Sequence, residues 1–179
     1  MEVLRSPDVA TLEHRRGDFL ISTDCSRLDL DMIHAFLANS YWAKDIPRET
    51  VARSIAHALC FGIYDGSGEE SPRLANAAKT FDFAEGGHGT PQVGFARVVS
   101  DFATVAYLGD VFVLESHRGR GLSKWLMECI MQHPALQNLR RWILLTRDAH
   151  GLYSQFGFAP PKSFERYMEL HRPDVYGTP

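Results

Sequence analysis

The chain has few cysteines, no long apolar run and no marked excess of one charge. Its three cysteines, Cys25, Cys60 and Cys129, are odd in number and widely spaced. That argues against a disulfide framework or a thiolate zinc site. Cys60 lies in an apolar stretch and Cys129 on an apolar helical face, so both read as reduced structural residues. Eight histidines are scattered without an HExxH pattern or a ligand cluster, and no metal is expected. No stretch approaches the length of a membrane-spanning helix. The start, from Met1 to Asp8, has no apolar signal core, so a cytoplasmic protein is the expectation. Lys and Arg number 19 against 22 Asp and Glu, for a net charge of −3. With no basic stripe and no interleaved aromatics, neither nucleic acid nor an anionic membrane is expected as a partner.

What is present is an ordinary globular mix, 45% apolar and 23% charged over 179 residues, enough for one core without staples. Residues 1–16 read as an arm or a short added strand, 17–172 as a single domain, and 173–179 as a polar tail. Phe19, Leu20 and Ile21 suggest the first core strand. Leu30, Ile33, Phe36 and Leu37 share one helical face, with Asp29 as N-cap. Pro47 suits the first turn of a second helix carrying Val51, Ile55 and Ala58. A strand over 59–64 follows. Residues 65–91, rich in Gly with Pro72 and Pro91, read as a flexible insert, with a short strand expected at 79–83.

Strands are expected at 92–99 and 104–114, joined by a short hairpin. Leu122, Trp125, Leu126, Cys129 and Ile130 line a strong helix that Pro134 ends. The run Trp142, Ile143, Leu144, Leu145 suggests a strand buried on both faces. A short helix over 149–156, capped by Asp148 and stopped by Gly157, and a last strand at 167–170 complete the reading. The order is mixed α/β, with antiparallel strands first and a β–α–β crossover later.

Arg118-Gly119-Arg120-Gly121-Leu122-Ser123 lies between a strand and an amphipathic helix. Its glycines allow close backbone approach, and the helix start offers free amides for an anion. Arg118 and Arg120 add positive charge. Read alone, the segment is either an anion site or a tight turn under a solvated basic patch. It lacks the third glycine of a dinucleotide fingerprint and the Gly-Lys-Ser/Thr of a P-loop.

These residues resemble the phosphate-loop pattern of the GNAT superfamily of N-acetyltransferases, Arg/Gln-x-x-Gly-x-Gly/Ala. Arg118, Gly121 and the small Ser123 stand at its fixed positions. Tyr153, Gly157 and Phe158 match a second feature, a tyrosine shortly before Gly-Phe. Residues 109–113, Gly-Asp-Val-Phe-Val, and 146–153, Thr-Arg-Asp-Ala-His-Gly-Leu-Tyr, are similar to small bacterial-type members. The resemblance spans roughly residues 19–170. It implies the acyl-CoA N-acyltransferase fold: a mixed, mostly antiparallel sheet flanked by helices, with splayed central strands.

The resemblance also implies acetyl-CoA as cosubstrate and an amine as acceptor. Amides of Gly119, Arg120, Gly121, Leu122 and Ser123, beside Arg118, would hold the pyrophosphate. Backbone of Val111 and Val113 would hold the pantetheine, with Thr146 near that arm. Tyr153 would be the general acid, its phenol protonated at neutral pH. Asp110 is either a base or ammonium contact, or a structural acceptor for amides or an arginine. His150 can relay a proton or touch the acceptor. Tyr41 and Trp42, between the first two helices, either wall the acceptor side or cap the core. Trp42 and Asp110 together favour a small-molecule amine. A non-catalytic acyl-CoA binder and a protein-amine acceptor are the alternatives, and a homodimer is possible in such folds.

Overall fold

The computed structural model describes residues 9–67 and 90–177. One six-stranded sheet carries the domain, its strands ordered as they occur in the chain. They are β1 (Glu13–Arg16), β2 (Phe19–Ser22), β3 (Leu59–Asp65), β4 (Gln92–Ser100), β5 (Val105–Val113) and β6 (Arg141–Leu144). The first five pair antiparallel, while β6 runs parallel to β5. That parallel step requires a crossover. It is made by α3 (Leu122–Gln132), the strong amphipathic segment of the sequence.

Local chemistry sets the element ends. Asp29 accepts the Met32 amide at 2.9 Å and starts α1 (Leu30–Ala38). Pro47, which lacks the amide a helix start cannot satisfy, precedes α2 (Arg48–Ala56). Gly157, at φ +84°, stops the 3-10 turn Ser154–Phe156 that continues α4 (His150–Tyr153). In the β4–β5 hairpin the Asp101 carboxylate accepts the amides of Ala103, Thr104 and Val105.

Two apolar layers cover the sheet. Leu126, Met127 and Ile130 of α3 pack on Phe61, Ile63, Val98 and Leu108. Ile33 and Leu37 of α1 and Val51 of α2 pack on Cys60, Phe95 and Phe112 from the other side. Alternation along β3 divides Phe61 and Ile63 from Cys60. Each fully buried large side chain contributes roughly 1.5–3 kcal/mol.

Two features shape the site. Pairing of β5 with β6 ends at Leu108–Leu144, so 109–113 is a strand on its β4 side alone. In the same stretch the β4–β5 register shifts between Phe95 and Arg97, and Asp110 adopts φ +56°. This is a bulge: Asp110 is the extra residue, and it re-aims the side chains around it.

Several expectations need correction. The run 141–144 is a half-exposed edge strand and not a strand buried on both faces; its apolar character covers α4 and the segment behind it. The last strand at 167–170 does not form. Those residues follow the 3-10 turn Phe164–Arg166 and join no described strand, with Met168 99% exposed. Alternation makes a strand only where a neighbour takes its hydrogen bonds. Of the two readings of residues 1–16, an arm or a short added strand, 13–16 take the second and form β1. The expected strand at 79–83 lies outside the described residues.

Candidate active site

The splay between β5 and β6 opens a cleft of about 820 Å³. Val111, Phe112 and Val113 form its floor, Phe36, Tyr41 and Trp42 one wall, and Arg147, Asp148 and Tyr153 the other. At the phosphate-loop end it meets a concavity of about 250 Å³ lined by His117, Gly119, Gly121 and Ser123. Val113, Arg118 and Ser123 line both. The two motifs picked out in the sequence therefore serve one continuous space.

The loop over 118–123 has a backbone geometry that can receive an anion. Gly119 and Gly121 have φ of +77° and +73°. Left-handed residues alternating with ordinary ones turn successive amides toward one spot. Gly121 caps α3 without any side-chain hydrogen bond, so the first amides of the helix have no competing acceptor. A Cβ at Gly119 would meet nothing within 4 Å. Arg118 turns back, its Nε donating to the Val113 carbonyl at 3.3 Å. That carbonyl is thus already engaged. Arg120 leans over the Phe19 ring, 6.0 Å from its centroid, and does not line the cleft.

Two residues, His117 and Arg16, brace this loop through contacts that the sequence did not signal. His117 Nε2 lies 3.0 Å from Asp65 Oδ2 at the end of β3, and both are buried. His117 Nδ1 meets the Ser116 hydroxyl at 2.8 Å. From β1, Arg16 donates to the Gly121 carbonyl at 3.2 Å and covers the Trp125 ring at 4.6 Å. Asp65 and His117 are 52 residues apart, so no local pattern could have paired them.

On the acceptor side, Tyr153 is buried with its hydroxyl making no hydrogen bond to a described residue. Burial first, then the neighbouring Tyr41, Asp148 and Tyr107, push its phenol up to about 12. It stays protonated throughout the physiological range. Asp110 does not line the cleft. Its Oδ2 accepts Arg97 Nε at 2.7 Å, and its Oδ1 accepts Trp42 Nε1 at 3.3 Å. Of the two sequence readings of Asp110, the geometry displays the acceptor for an arginine, and it adds the indole.

Tyr41 and Trp42 stand on the wall, half exposed, with Trp42 beside Phe36 and Phe36 stacked on Phe112 at 3.7 Å. Tyr41 also closes the cleft from above. Arg147 stacks on its ring at 3.8 Å, and the Arg147 amide donates to its hydroxyl at 3.2 Å. Thr146 and His150 are brought near but do not line the cleft. Thr146 Oγ1 accepts the Ala149 amide at 3.0 Å on the turn before α4. The start of α4 has no side-chain cap, so Asp148 does not perform the capping expected of it. No group of metal ligands occurs among the described residues.

Comparison with known proteins decides the family. Residues 84–160 match an acetyltransferase (GNAT) domain model. A Gibberella zeae protein with a provisional acetyltransferase name is 33% identical over 145 residues, 78% of each chain. The chain belongs to the GNAT acetyltransferases. A crystal structure from Xanthomonas campestris pv. campestris, provisionally assigned to the same family, is similar at 48% identity. It covers 89% of this chain and 97% of that one, with a TM-score of 0.73. A provisionally named acetyltransferase from Deinococcus radiodurans shares the fold at 19% identity, covering 94% of this chain and 99% of its own, with a TM-score of 0.61. The mixed sheet with its splayed strands is accordingly the fold of this GNAT acetyltransferase.

Proposed function

We propose that this acetyltransferase moves the acetyl group of acetyl-CoA to the primary amine of a small molecule. The observation that carries the reading is the continuity of the cleft. It runs from an uncapped helix start with two left-handed glycines, along an unpaired strand edge, to a buried, protonated phenol.

In this reading the amides of 119–123 bind the pyrophosphate, with Arg118 alongside. The free edge of 109–113 binds the pantetheine by adding hydrogen bonds where β6 is missing. Backbone donors there also meet the negative charge that develops on the thioester oxygen. The neutral amine attacks the carbonyl carbon. The C–N bond forms, the C–S bond breaks, and one proton passes in net from nitrogen to sulfur. Tyr153 donates the hydrogen bond that the departing sulfur needs. Its raised pKa keeps that hydrogen in place. Asp110 acts as a positioning residue: it holds the Trp42 indole and takes its own place in the bulge from Arg97.

A small acceptor is favoured by enclosure. Tyr41 and Arg147 join the two walls of the cleft, which narrows a mouth that has an aromatic side. The test is calorimetric titration with acetyl-CoA, followed by thiol release in an amine screen. Saturable binding lost in Gly121→Glu, with amine-dependent release of CoA, is the expected result. Absence of binding by the folded protein would overturn the reading.

A further inference from the structure

We propose that Asp148 holds the ammonium group of the acceptor, and that the acceptor is a primary amine carried on an aromatic body. This inference rests on the acetyl-transfer reading of the cleft.

Asp148 lies on the turn between β6 and α4 and lines the cleft together with Tyr153. Among the described residues on that lining it is the one carboxylate. The hydrogen bonds and ion pairs of the described residues do not involve its side chain. The tasks that would otherwise occupy it belong to other groups. The Ala149 amide goes to Thr146, α4 takes no side-chain cap, and Arg97 is paired with Asp110. A free carboxylate on a cleft wall attracts a cation, and its charge acts on the Tyr153 phenol. An ammonium drawn to Asp148 is thereby brought to the end of the cleft where the phenol sits, and it releases one proton to bulk water before the neutral amine attacks.

The remaining charges do not cancel it. Arg147 is stacked on Tyr41 at 3.8 Å, and Arg118 is turned to the Val113 carbonyl at the phosphate end. Asp110, the other acid nearby, has both oxygens engaged and is off the wall.

The body of the acceptor is set by the facing wall. Phe36 lies flat on Phe112, and Trp42 is tilted 49° to Phe36 at 6.2 Å. Aromatic groups stack favourably on such a surface when an edge or an offset face is available. A cation beside Trp42 gains from its ring as well. One unpaired carboxylate on one wall and aromatic rings on the other suit a molecule with a cationic end and a flat apolar end.

The test uses phenethylamine and phenethyl alcohol, which share the ring and differ in charge at one group. Each is titrated into the protein saturated with CoA, with binding followed by ligand-observed NMR at neutral pH. The parent is expected to bind the amine at least tenfold tighter than the alcohol. Asp148→Asn should abolish that preference, and Asp148→Glu should restore part of it, while the affinity for CoA stays unchanged in both. A general structural lesion would weaken the amine, the alcohol and CoA together. Retention of the preference in Asp148→Asn, or its absence in the parent, overturns the proposal. Failure of the folded parent to bind CoA overturns the acetyl-transfer reading, and this inference falls with it.

Discussion

Gly121 is where the geometry makes its sharpest demand. It caps α3 at φ +73° and ψ 11°, a conformation that costs an L-residue roughly 1–2 kcal/mol. A Cβ there meets only the Arg16 guanidinium, at 3.9 Å, which is ordinary contact. Strain and not collision therefore sets the effect of Gly121→Ala. For a domain of this size each kcal/mol moves Tm by roughly 2–4 °C, so the variant should melt roughly 2–8 °C lower. A turn that relaxes its φ also turns the amide of Leu122 away from the anion. One charge-assisted hydrogen bond contributes roughly 1.5–3 kcal/mol, so acetyl-CoA should bind roughly ten- to a hundredfold more weakly. The assay is calorimetric titration of parent and variant with acetyl-CoA and with S-acetylpantetheine, which lacks the pyrophosphate. Only acetyl-CoA should lose affinity. An equal loss for both ligands, or a lower Tm with unchanged acetyl-CoA binding, would refute the argument that this backbone holds phosphate.

Further outcomes follow from the other contacts of the site. Tyr153→Phe removes a hydroxyl that bonds to no described residue, so Tm should stay within about 1–2 °C while turnover falls roughly a hundredfold or more. Because burial lifts the phenol to about 12, the parent's turnover should not fall with a midpoint near 10, where an ordinary tyrosine ionises. Between these values the unfolded chain binds fewer protons than the folded one, so stability should fall as pH rises through that window; urea titrations at a series of pH values measure it. Arg97→Ala strands the largely buried Asp110 carboxylate, and should cost about 3 kcal/mol in urea melts. The double variant Arg97→Ala/Asp110→Ala should recover part of it, and a single-variant loss below about 1 kcal/mol would sink this account of the bulge. Asp65→Asn should weaken acetyl-CoA binding several-fold through the loosened His117. Unchanged affinity would show that the phosphate loop does not depend on that brace.

The parts of this protein legible in the sequence are those decided within a turn or two of chain. Asp29, Pro47, Gly121 and Gly157 mark helix ends because capping and left-handed φ are local matters. The phosphate loop was visible for the same reason. What was not legible depends on register and on strand order. Arg97 meets Asp110 only because a bulge places them across one hairpin. Asp65 meets His117 only because β3 ends beside the loop. The run 141–144 reads as doubly buried until its place at the sheet edge is known. Tyr41 and Arg147, 106 residues apart, close the cleft through one hydrogen bond and one stacked ring. The division has a chemical consequence. In the proposed reading, local signals define where the acyl donor's phosphates go, because any donor of this class presents the same group to backbone amides. Long-range contacts shape the acceptor mouth, where Trp42 comes from the loop between α1 and α2 and Arg147 and Asp148 from the turn between β6 and α4. Substitutions in the loop should therefore act alike on every acceptor, whereas substitutions at the mouth should change which amine is taken.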